Sequence, residues 1–376
     1  MSAPTSRAVS RLDAAIAAAS SPIAAACLKA ERAGLLARLG RFDEVASVLD
    51  ELRAQHPNPS NPALAAWLNL AEGLMDHTRE LSASARQRIQ RAYAFSIAAR
   101  ERPLIAVCAA WLAHFAYVYD DLAGVARHVA EALQEADDDN HAARGRASLV
   151  VAQSYHWAGR FDRAQPWYLR ARDHAAAEGD AATTGAVMIN RAWISGNQVR
   201  MASIFGPDAA APNANPVREA LLSVESSGHF DVYIGRNAQR SMARVMRAQL
   251  LLAQGDYAQA LDLFDAHLPT ALDEGLSHML PVLYGDIAWC KLNLGRADEA
   301  LADVRAAQAG FGPDCEEEDA ASAHGRLAQV LRTLGRDEEA QPHAERAAAE
   351  LKTLREQQAL LVSLLDTALK QVPGLA

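Results

Sequence analysis

A glycine-led segment recurs along this chain at intervals close to forty residues. Each copy begins with Gly, carries acidic or bulky residues, and ends on a small apolar residue. The copies are Gly40–Val45, Gly159–Ala164, Gly255–Ala260, Gly295–Ala300 and Gly335–Ala340. The last three lie 40 residues apart, and the gap from 40 to 159 is one residue short of three such periods. A fixed period of this length indicates stacked supersecondary units and one continuous core.

Apolar and small residues at helical spacing precede each glycine, as in 248–253 and 287–294, which predicts a helix with one buried stripe. Gly adopts the left-handed conformation that ends a helix, and the small residue at the sixth position allows the next helix to approach closely. Two further copies are predicted at 120–125 and, more weakly, at 80–85. Each unit is therefore predicted to be a helical hairpin.

These units resemble the tetratricopeptide repeat (TPR). The resemblance rests on positions such as Ala152, Tyr155, Gly159, Phe161 and Ala164, and it covers about residues 22–350 with a period longer than the standard 34. The longer period is similar to the superhelical domain of the maltose regulator and to the aspartate phosphatase regulators of Gram-positive bacteria. The resemblance implies an all-α, right-handed TPR-like α-solenoid of about eight hairpins.

We expect a single solenoid with five parts: an N-terminal cap (1–21), N-terminal repeats (22–200), an insertion (201–217), C-terminal repeats (218–350) and a C-terminal capping helix (351–376). The interval from 159 to 255 exceeds two periods by about sixteen residues, and the Pro- and Asn-rich stretch near 201–217 accounts for the excess. This insertion is the candidate hinge. An N-terminal or C-terminal repeat needs a cap because its outer face would otherwise expose apolar residues.

Composition excludes several classes of function. A net charge of -9 gives no basic field for nucleic acid, and no apolar run is long enough for a membrane span. The four dispersed cysteines and the N-terminal sequence favour a reducing, cytoplasmic location without a signal peptide. No Walker loop, HExxH, GxSxG or zinc-deaminase motif is present. We therefore expect no enzyme, no cofactor and no metal site.

In TPR domains, positions 2, 5, 9 and 12 of each first helix tend to face a ligand in the groove. Carried onto this chain, these positions and one adjacent residue give His114, Tyr117, Gln153, His156, Trp193, Asn197, Gln249 and Trp289. Aromatic and amide side chains suit recognition of a peptide, although each could equally be a core residue. The slots of the first unit are Cys27, Ala30, Gly34 and Ala37, so that end of the groove is expected to be bare.

Four arginines, Arg236, Arg240, Arg244 and Arg247, follow the insertion at spacings of four, four and three, which predicts one basic stripe on a helix. Arg240 and Arg244 would bind a carboxylate if the stripe faced the groove, and would be solvated if it faced outward. The main functional hypothesis is a non-enzymatic interaction module, a scaffold that binds a partner segment or peptide in the groove. The alternative is a signalling sensor that binds a small peptide or metabolite and controls an effector. A homo-oligomer is compatible with either.

Overall fold

The protein is all-α in the residues that this computed structural model describes, which are 6–82, 84–206, 216–236, 240–312 and 315–374. The chain divides into two compact units: unit 1 comprises 1–190, 229–238 and 359–376, and unit 2 comprises 191–228 and 239–358. The TPR-like repeat architecture predicted from the sequence is confirmed. The predicted hinge falls mostly on 207–215, which lie outside the described residues, as do 1–5 of the predicted N-terminal cap and 375–376 of the predicted C-terminal cap.

Unit 1 begins with a single helix and continues with four hairpins. Its helices are α1 (Arg7–Ala17), α2 (Pro22–Arg38), α3 (Phe42–Gln55), α4 (Pro62–Glu80), α5 (Ser84–Ala99), α6 (Arg102–Val118), α7 (Leu122–Glu135), α8 (His141–Trp157) and α9 (Phe161–Glu178). Residues 181–190 of α10 (Ala181–Phe205) and residues 229–234 of α11 (Pro216–Ile234) also belong to it. The hairpins are α2–α3, α4–α5, α6–α7 and α8–α9.

Unit 2 contains the remainder of α10 and α11 and three further hairpins. Its other helices are α12 (Arg240–Gln254), α13 (Tyr257–Asp273), a 3₁₀ helix (Leu276–Met279), α14 (Leu280–Asn293), α15 (Ala297–Gly310), α16 (Glu317–Thr333) and residues 337–358 of α17 (Asp337–Leu369). The predicted insertion begins later than expected, because α10 continues through residues 201–205.

The five recurring glycines end the first helix of their hairpins as the sequence predicts, whereas Leu81 and Asp120 take the left-handed conformation after α4 and α6. Gly40, Gly159, Gly255, Gly295 and Gly335 all have positive φ, between 71° and 91°. The residue after each glycine donates its N–H to the carbonyl five residues earlier, as in Arg160 N to Tyr155 O at 2.7 Å. The sixth position of every copy is fully buried, so the two helices of each hairpin approach closely there.

The C-terminus differs from the prediction of a separate capping helix from residue 351. α17 is one continuous helix of 33 residues from Asp337 to Leu369. No glycine interrupts it, and the helix continues past Pro342, which lies inside it. Leu361, Leu365 and Val372 are buried in the core of unit 1, where Asp366 accepts hydrogen bonds from Tyr155 and Arg163.

Candidate functional site

Unit 1 contains a small, half-open cavity of about 60 Å³ between the first helices of its hairpins. Helices α2, α4, α6 and α8 form most of the wall, and α1 closes one side through Ala8 and Leu12. The polar and aromatic lining residues are Glu31, Arg38, Trp67, Trp111, Arg146, Glu178 and Asp180. In its present state the cavity has room for a few water molecules.

The bare end of the predicted groove is where this cavity lies. Ala30 and Gly34, two of the four small residues that led us to expect no site there, line it directly. Their small side chains leave space that the longer side chains of Glu31 and Arg38, on the same face of α2, then enter. The expectation of an unequipped N-terminal end is therefore wrong, because the adjacent positions supply the chemistry.

Arg146 is the most unusual residue of the cavity. Its side chain is only 5% exposed, and its guanidinium lies 3.9 Å from the centre of the Trp111 ring. Among the described residues no carboxylate lies within ion-pair distance of it, and its Nε has no hydrogen-bond partner. Burial, reinforced by the nearby Arg38, lowers the pKa of Arg146 to about 9. The cavity therefore contains a buried cation that nothing in the described chain neutralises.

Asp180 is the nearest candidate partner for Arg146, but it is already engaged. Its carboxylate accepts a hydrogen bond from Arg38 at 2.6 Å and from the Thr183 hydroxyl at 2.7 Å, and it caps the start of α10 through the Thr183 N–H. Despite burial, the Arg38 charge and these hydrogen bonds hold the pKa of Asp180 below its usual value. Arg38 and Asp180 thus form a closed pair beside Arg146.

Glu31 lies in the same cavity with no hydrogen bond or ion pair among the residues that the structure describes. Burial, together with the neighbouring Glu178, raises the pKa of its carboxyl to about 7. Glu178 is paired with Arg11 of α1. Like Arg146, Glu31 is an ionisable group for which the described chain provides no partner.

Helix α1 is held across the cavity by contacts with the end of α9. The Ser6 hydroxyl and the Ala8 N–H both donate to the Gly179 carbonyl, at 3.0 and 3.2 Å, and Arg7 donates to the Ala176 carbonyl at 2.9 Å. Gly179 is the C-cap of α9, and the Ala176 carbonyl of the last turn also accepts from the Gly179 N–H at 3.2 Å. α1 therefore satisfies the end of α9 and covers the cavity at the same time.

The predicted site residues of unit 1 divide between the cavity surroundings and the core. His114 is 8% exposed, packs edge-on against Trp111, and lies with its Nε2 3.4 Å from that of His77. Burial and the Arg146 charge lower the pKa of His114 well below its ordinary value. Gln153 is buried and its Oε1 has no partner among the described residues. Tyr117 is half-buried against the core.

His156 does not face a groove. It is 2% exposed inside the α8–α9 hairpin, where its Nδ1 lies 3.1 Å from the Tyr168 hydroxyl and its ring packs edge-on against Phe161. Its position near the end of α8 points it toward α9, because Phe161 starts the returning helix there. Its proposed contact with a ligand is corrected to a core contact.

In unit 2, the predicted groove residues meet side chains of the chain itself. Gln249 donates to Asp286 at 3.0 Å, and Arg326 donates to the other oxygen of Asp286 at 3.1 Å. Arg326 also lies 5.4 Å from the centre of the Trp289 ring and donates to the Ser203 hydroxyl at 2.9 Å. This network is internally satisfied.

The last turns of α10 lie against this network. Gln329 donates to the Ile204 carbonyl at 3.1 Å, and Arg200 pairs with Asp319 at 3.1 Å. Asn197 and Trp193 lie about one and two turns before Arg200 on α10, half-buried, with Trp193 against the core of unit 2. The α10 segment thus occupies the surface where the sequence predicted an open groove.

The predicted arginine stripe is not continuous. Arg236 precedes α12, is separated from it by 237–239 outside the described residues, and pairs with Asp231 at 3.2 Å. Arg247 pairs with Glu225 at 2.8 Å. Arg240 and Arg244 are exposed on α12. The interpretation of one four-residue stripe on a single helix is therefore wrong.

Two further classes of site were searched over the described part of the chain. No group of three or more His, Cys, Asp or Glu side chains there has an arrangement that could hold a metal ion. No helix in the same residues is long and apolar enough to cross a membrane.

The sequence reasoning missed Glu31, Arg38, Trp111, Arg146 and Asp180. The signal available was that Glu31 and Arg38 each lie one residue from a groove slot, Ala30 or Ala37, and that Arg146 lies two helical turns before the slot residue Gln153. Their convergence depends on contacts as remote as Arg38 with Asp180, 142 residues apart.

Comparisons with known proteins find a similar fold but no sequence relative. Neither a protein-family model nor a curated protein matches the sequence. The structure is similar to that of a Rap protein complexed with competence and sporulation factor, with a TM-score of 0.54 and 11% sequence identity, over 88% of this chain and 99% of that one. At this identity the similarity concerns the fold alone.

Proposed function

We propose that this protein is a non-enzymatic binding module that takes a carboxylate-bearing peptide, or the equivalent segment of a partner protein, into the cavity of unit 1. The observation that carries the proposal is Arg146, a buried guanidinium stacked on Trp111 with no carboxylate partner. Keeping a charge buried without a counter-ion is unfavourable, and a ligand carboxylate would relieve that cost. Arginine suits this task because its planar fork binds a carboxylate with two parallel hydrogen bonds.

The remaining walls suit a peptide. Trp67 and Trp111 offer large flat contact surfaces, and Leu35, Leu70 and Leu74 provide apolar lining between the charged residues. The structurally similar Rap protein was determined in complex with competence and sporulation factor, so a protein of this fold binds a ligand. The residue chemistry of Arg146 is the main argument for a carboxylate.

The alternative function is a sensor in which ligand binding changes the conformation presented to an effector. The small volume of the cavity favours it, because a peptide needs several times about 60 Å³ and would enter fully only if one wall moved. α1 is the wall we expect to move, since its hold on α9 depends on a few polar contacts made by Ser6, Arg7, Ala8 and Arg11. A sensor of this kind is a special case of the binding module.

The proposal is tested by equilibrium selection from a pool of N-acetylated tripeptides with a free carboxyl terminus, against the same pool amidated. The full chain is incubated with each pool, and retained peptides are quantified by mass spectrometry. Wild type should retain carboxylate peptides at least tenfold over amides, and Arg146→Met should lose the preference. Arg172→Met, an exposed arginine of α9 in the same unit, is the matched control and should behave as wild type.

Equal retention of acid and amide pools by wild type would contradict the carboxylate assignment. Retention that survives Arg146→Met would move the site elsewhere in the molecule. The sensor alternative is checked in the same samples by trypsin cleavage after Arg11, which should accelerate when the selected peptide is bound. If the cleavage rate is unchanged when peptide is bound, the binding-module function still stands, but α1 is not the part that moves.

A further inference from the structure

A second ionisable group in the unit 1 cavity lacks a partner, and it has the opposite charge to Arg146. Glu31 projects from the face of α2 that carries Arg38, seven residues or about two helical turns away. Arg38 lies 5.7 Å from the centre of the same Trp111 ring that Arg146 covers. Glu31 and Arg38 are therefore separated by a rise of about 10 Å along α2.

The cations near Glu31 are engaged with other acids. Arg11, the cation whose charge acts on Glu31, pairs with Glu178. Arg32, the next residue of α2, pairs with Asp13 at 2.6 Å. Lys29 of the same helix pairs with Glu51 at 2.8 Å. No basic side chain of the described residues lies within ion-pair distance of Glu31, so a cation for it would come from outside the chain.

We infer that Glu31 binds an ammonium group of the ligand, so that the ligand is a short zwitterion. This inference rests on the proposed function, because it assumes that the carboxylate is held at Arg146. Arg146 and Arg38 lie over the same Trp111 ring, and an extended peptide spans about 3.3 to 3.6 Å per residue, so the rise of about 10 Å from Glu31 to Arg38 corresponds to about three residues. The apolar lining between the two charges fits an apolar central side chain.

This assignment distinguishes a free peptide from an internal segment of a partner protein. An internal segment has neither terminus and would need a lysine and an acidic side chain at the correct separation. A free tripeptide carries both charges on its backbone. Either source supplies the same ammonium chemistry to Glu31, and the experiment separates them.

The test uses three tripeptide pools with free carboxyl termini and an apolar central residue. The first has a free amino terminus, the second is N-acetylated, and the third is N-acetylated with lysine at the first position. Wild-type full chain should retain the first pool at least tenfold over the second. Glu31→Gln should abolish that difference, while Glu44→Gln, a control acid on the solvent side of α3 in the same unit, should preserve it.

The outcomes separate this inference from the proposed function. Equal retention of the first and second pools by wild type, with carboxylate preference intact, overturns the ammonium assignment and leaves Arg146 as the anchor. Discrimination that persists in Glu31→Gln overturns the assignment to this residue. Retention of the third pool at the level of the first supports ammonium recognition with a side-chain source. If wild type shows no preference for peptides with a free carboxylate, the proposed function itself is wrong.

Because Glu31→Gln could act through folding, its thermal unfolding midpoint and circular dichroism are measured alongside. The variant removes a group that burial disfavours in its charged form, so we expect a fold at least as stable as wild type. A correctly folded Glu31→Gln that still binds the carboxylate but no longer senses the amino terminus is the supporting result.

Discussion

Two buried arginines of this protein provide a paired experiment on what each charge is for. Arg146 in unit 1 and Arg326 in unit 2 are 5% and 2% exposed, and each lies over a tryptophan of the preceding hairpin, at 3.9 and 5.4 Å from the ring centre. Arg326 is paired with Asp286, whereas Arg146 has no acid partner among the described residues. The substitution Arg→Met, which keeps a long side chain and removes the charge, should therefore have opposite effects at the two positions.

At Arg146 the expected change is a gain in stability. Lowering its pKa to about 9 corresponds to about 5 kcal/mol of disfavoured charge, at about 1.4 kcal/mol per pH unit. Stacking on Trp111 returns about 2 kcal/mol, since a desolvated cation–π contact has that magnitude. Arg146→Met should then raise the free energy of unfolding by about 2 to 3 kcal/mol.

At Arg326 the same substitution leaves Asp286 buried with Gln249 as its remaining hydrogen-bond donor. Removing one partner of a buried ion pair costs about 3 to 5 kcal/mol, because the other charge stays uncompensated. The double variant Asp286→Leu with Arg326→Met should recover most of that loss, since an apolar pair replaces the ion pair.

Urea unfolding followed by circular dichroism measures the sign directly, and tryptophan fluorescence provides a second probe in each unit. The midpoint should move up for Arg146→Met and down for Arg326→Met. If Arg146→Met lowers the midpoint as Arg326→Met does, Arg146 is a structural residue with an internal partner, and the argument for an external carboxylate is refuted.

Three further predictions follow from the packing. Gly325→Ala should lower the thermal unfolding midpoint, because its Cβ would lie 2.5 Å from the Ile204 side chain. At Gly285 an added Cβ meets nothing closer than 3.5 Å, so Gly285→Ala should gain up to about 1 kcal/mol of stability from helix propensity. Equal midpoints for the two variants would contradict the packing of α10 on α16. Burial lowers the pKa of His77 to about 4, against about 6.5 in an unfolded chain. The unfolded state therefore binds the proton first as the pH falls, and up to about 3 kcal/mol of stability should be lost between pH 6.5 and 4. Denaturant titrations of wild type and His77→Gln across this range measure the loss, and the same dependence of stability on pH in both proteins would refute the prediction. Asp366→Asn should weaken the hydrogen bonds that Tyr155 and Arg163 donate to this side chain, and should lower the free energy of unfolding by about 1 kcal/mol, since the ion pair with Arg163 is partly exposed. Faster hydrogen exchange of the backbone amides of 359–374 is the expected result, and unchanged exchange there would contradict the prediction.

Local signals in the sequence are sufficient to predict the hairpins. The left-handed glycines and the small residue five positions later act within one unit, and each requirement can be seen in the sequence of that unit. The same local reasoning failed at residue 351, where α17 continues without a break. The expected need for a cap does not end a helix at residue 351, because no residue near that position disfavours the helical conformation.

The cavity could not be predicted in the same way because its residues are brought together by curvature summed over four hairpins. Arg38 reaches Asp180 and the ring of Trp111 from α2, although several helices intervene in the sequence. Assigning groove positions one helix at a time placed His156 in a groove, although it packs within its own hairpin. It also passed over Glu31, which lies beside the slot residue Ala30, and Arg146, which occupies position 2 of the helix that supplies Gln153 and His156.

The two units share an arrangement of arginine and tryptophan side chains that bears on the proposed function. In both, an arginine of one first helix stacks on a tryptophan of the previous first helix, Arg146 on Trp111 and Arg326 on Trp289. In unit 2 the chain completes the arrangement with Asp286 and with Ser203 of α10. In unit 1 the corresponding acid is missing and the space beside the arginine is a cavity. Since the same chain can satisfy such an arginine internally, the absence of a partner for Arg146 among the described residues supports the proposal that a ligand supplies one.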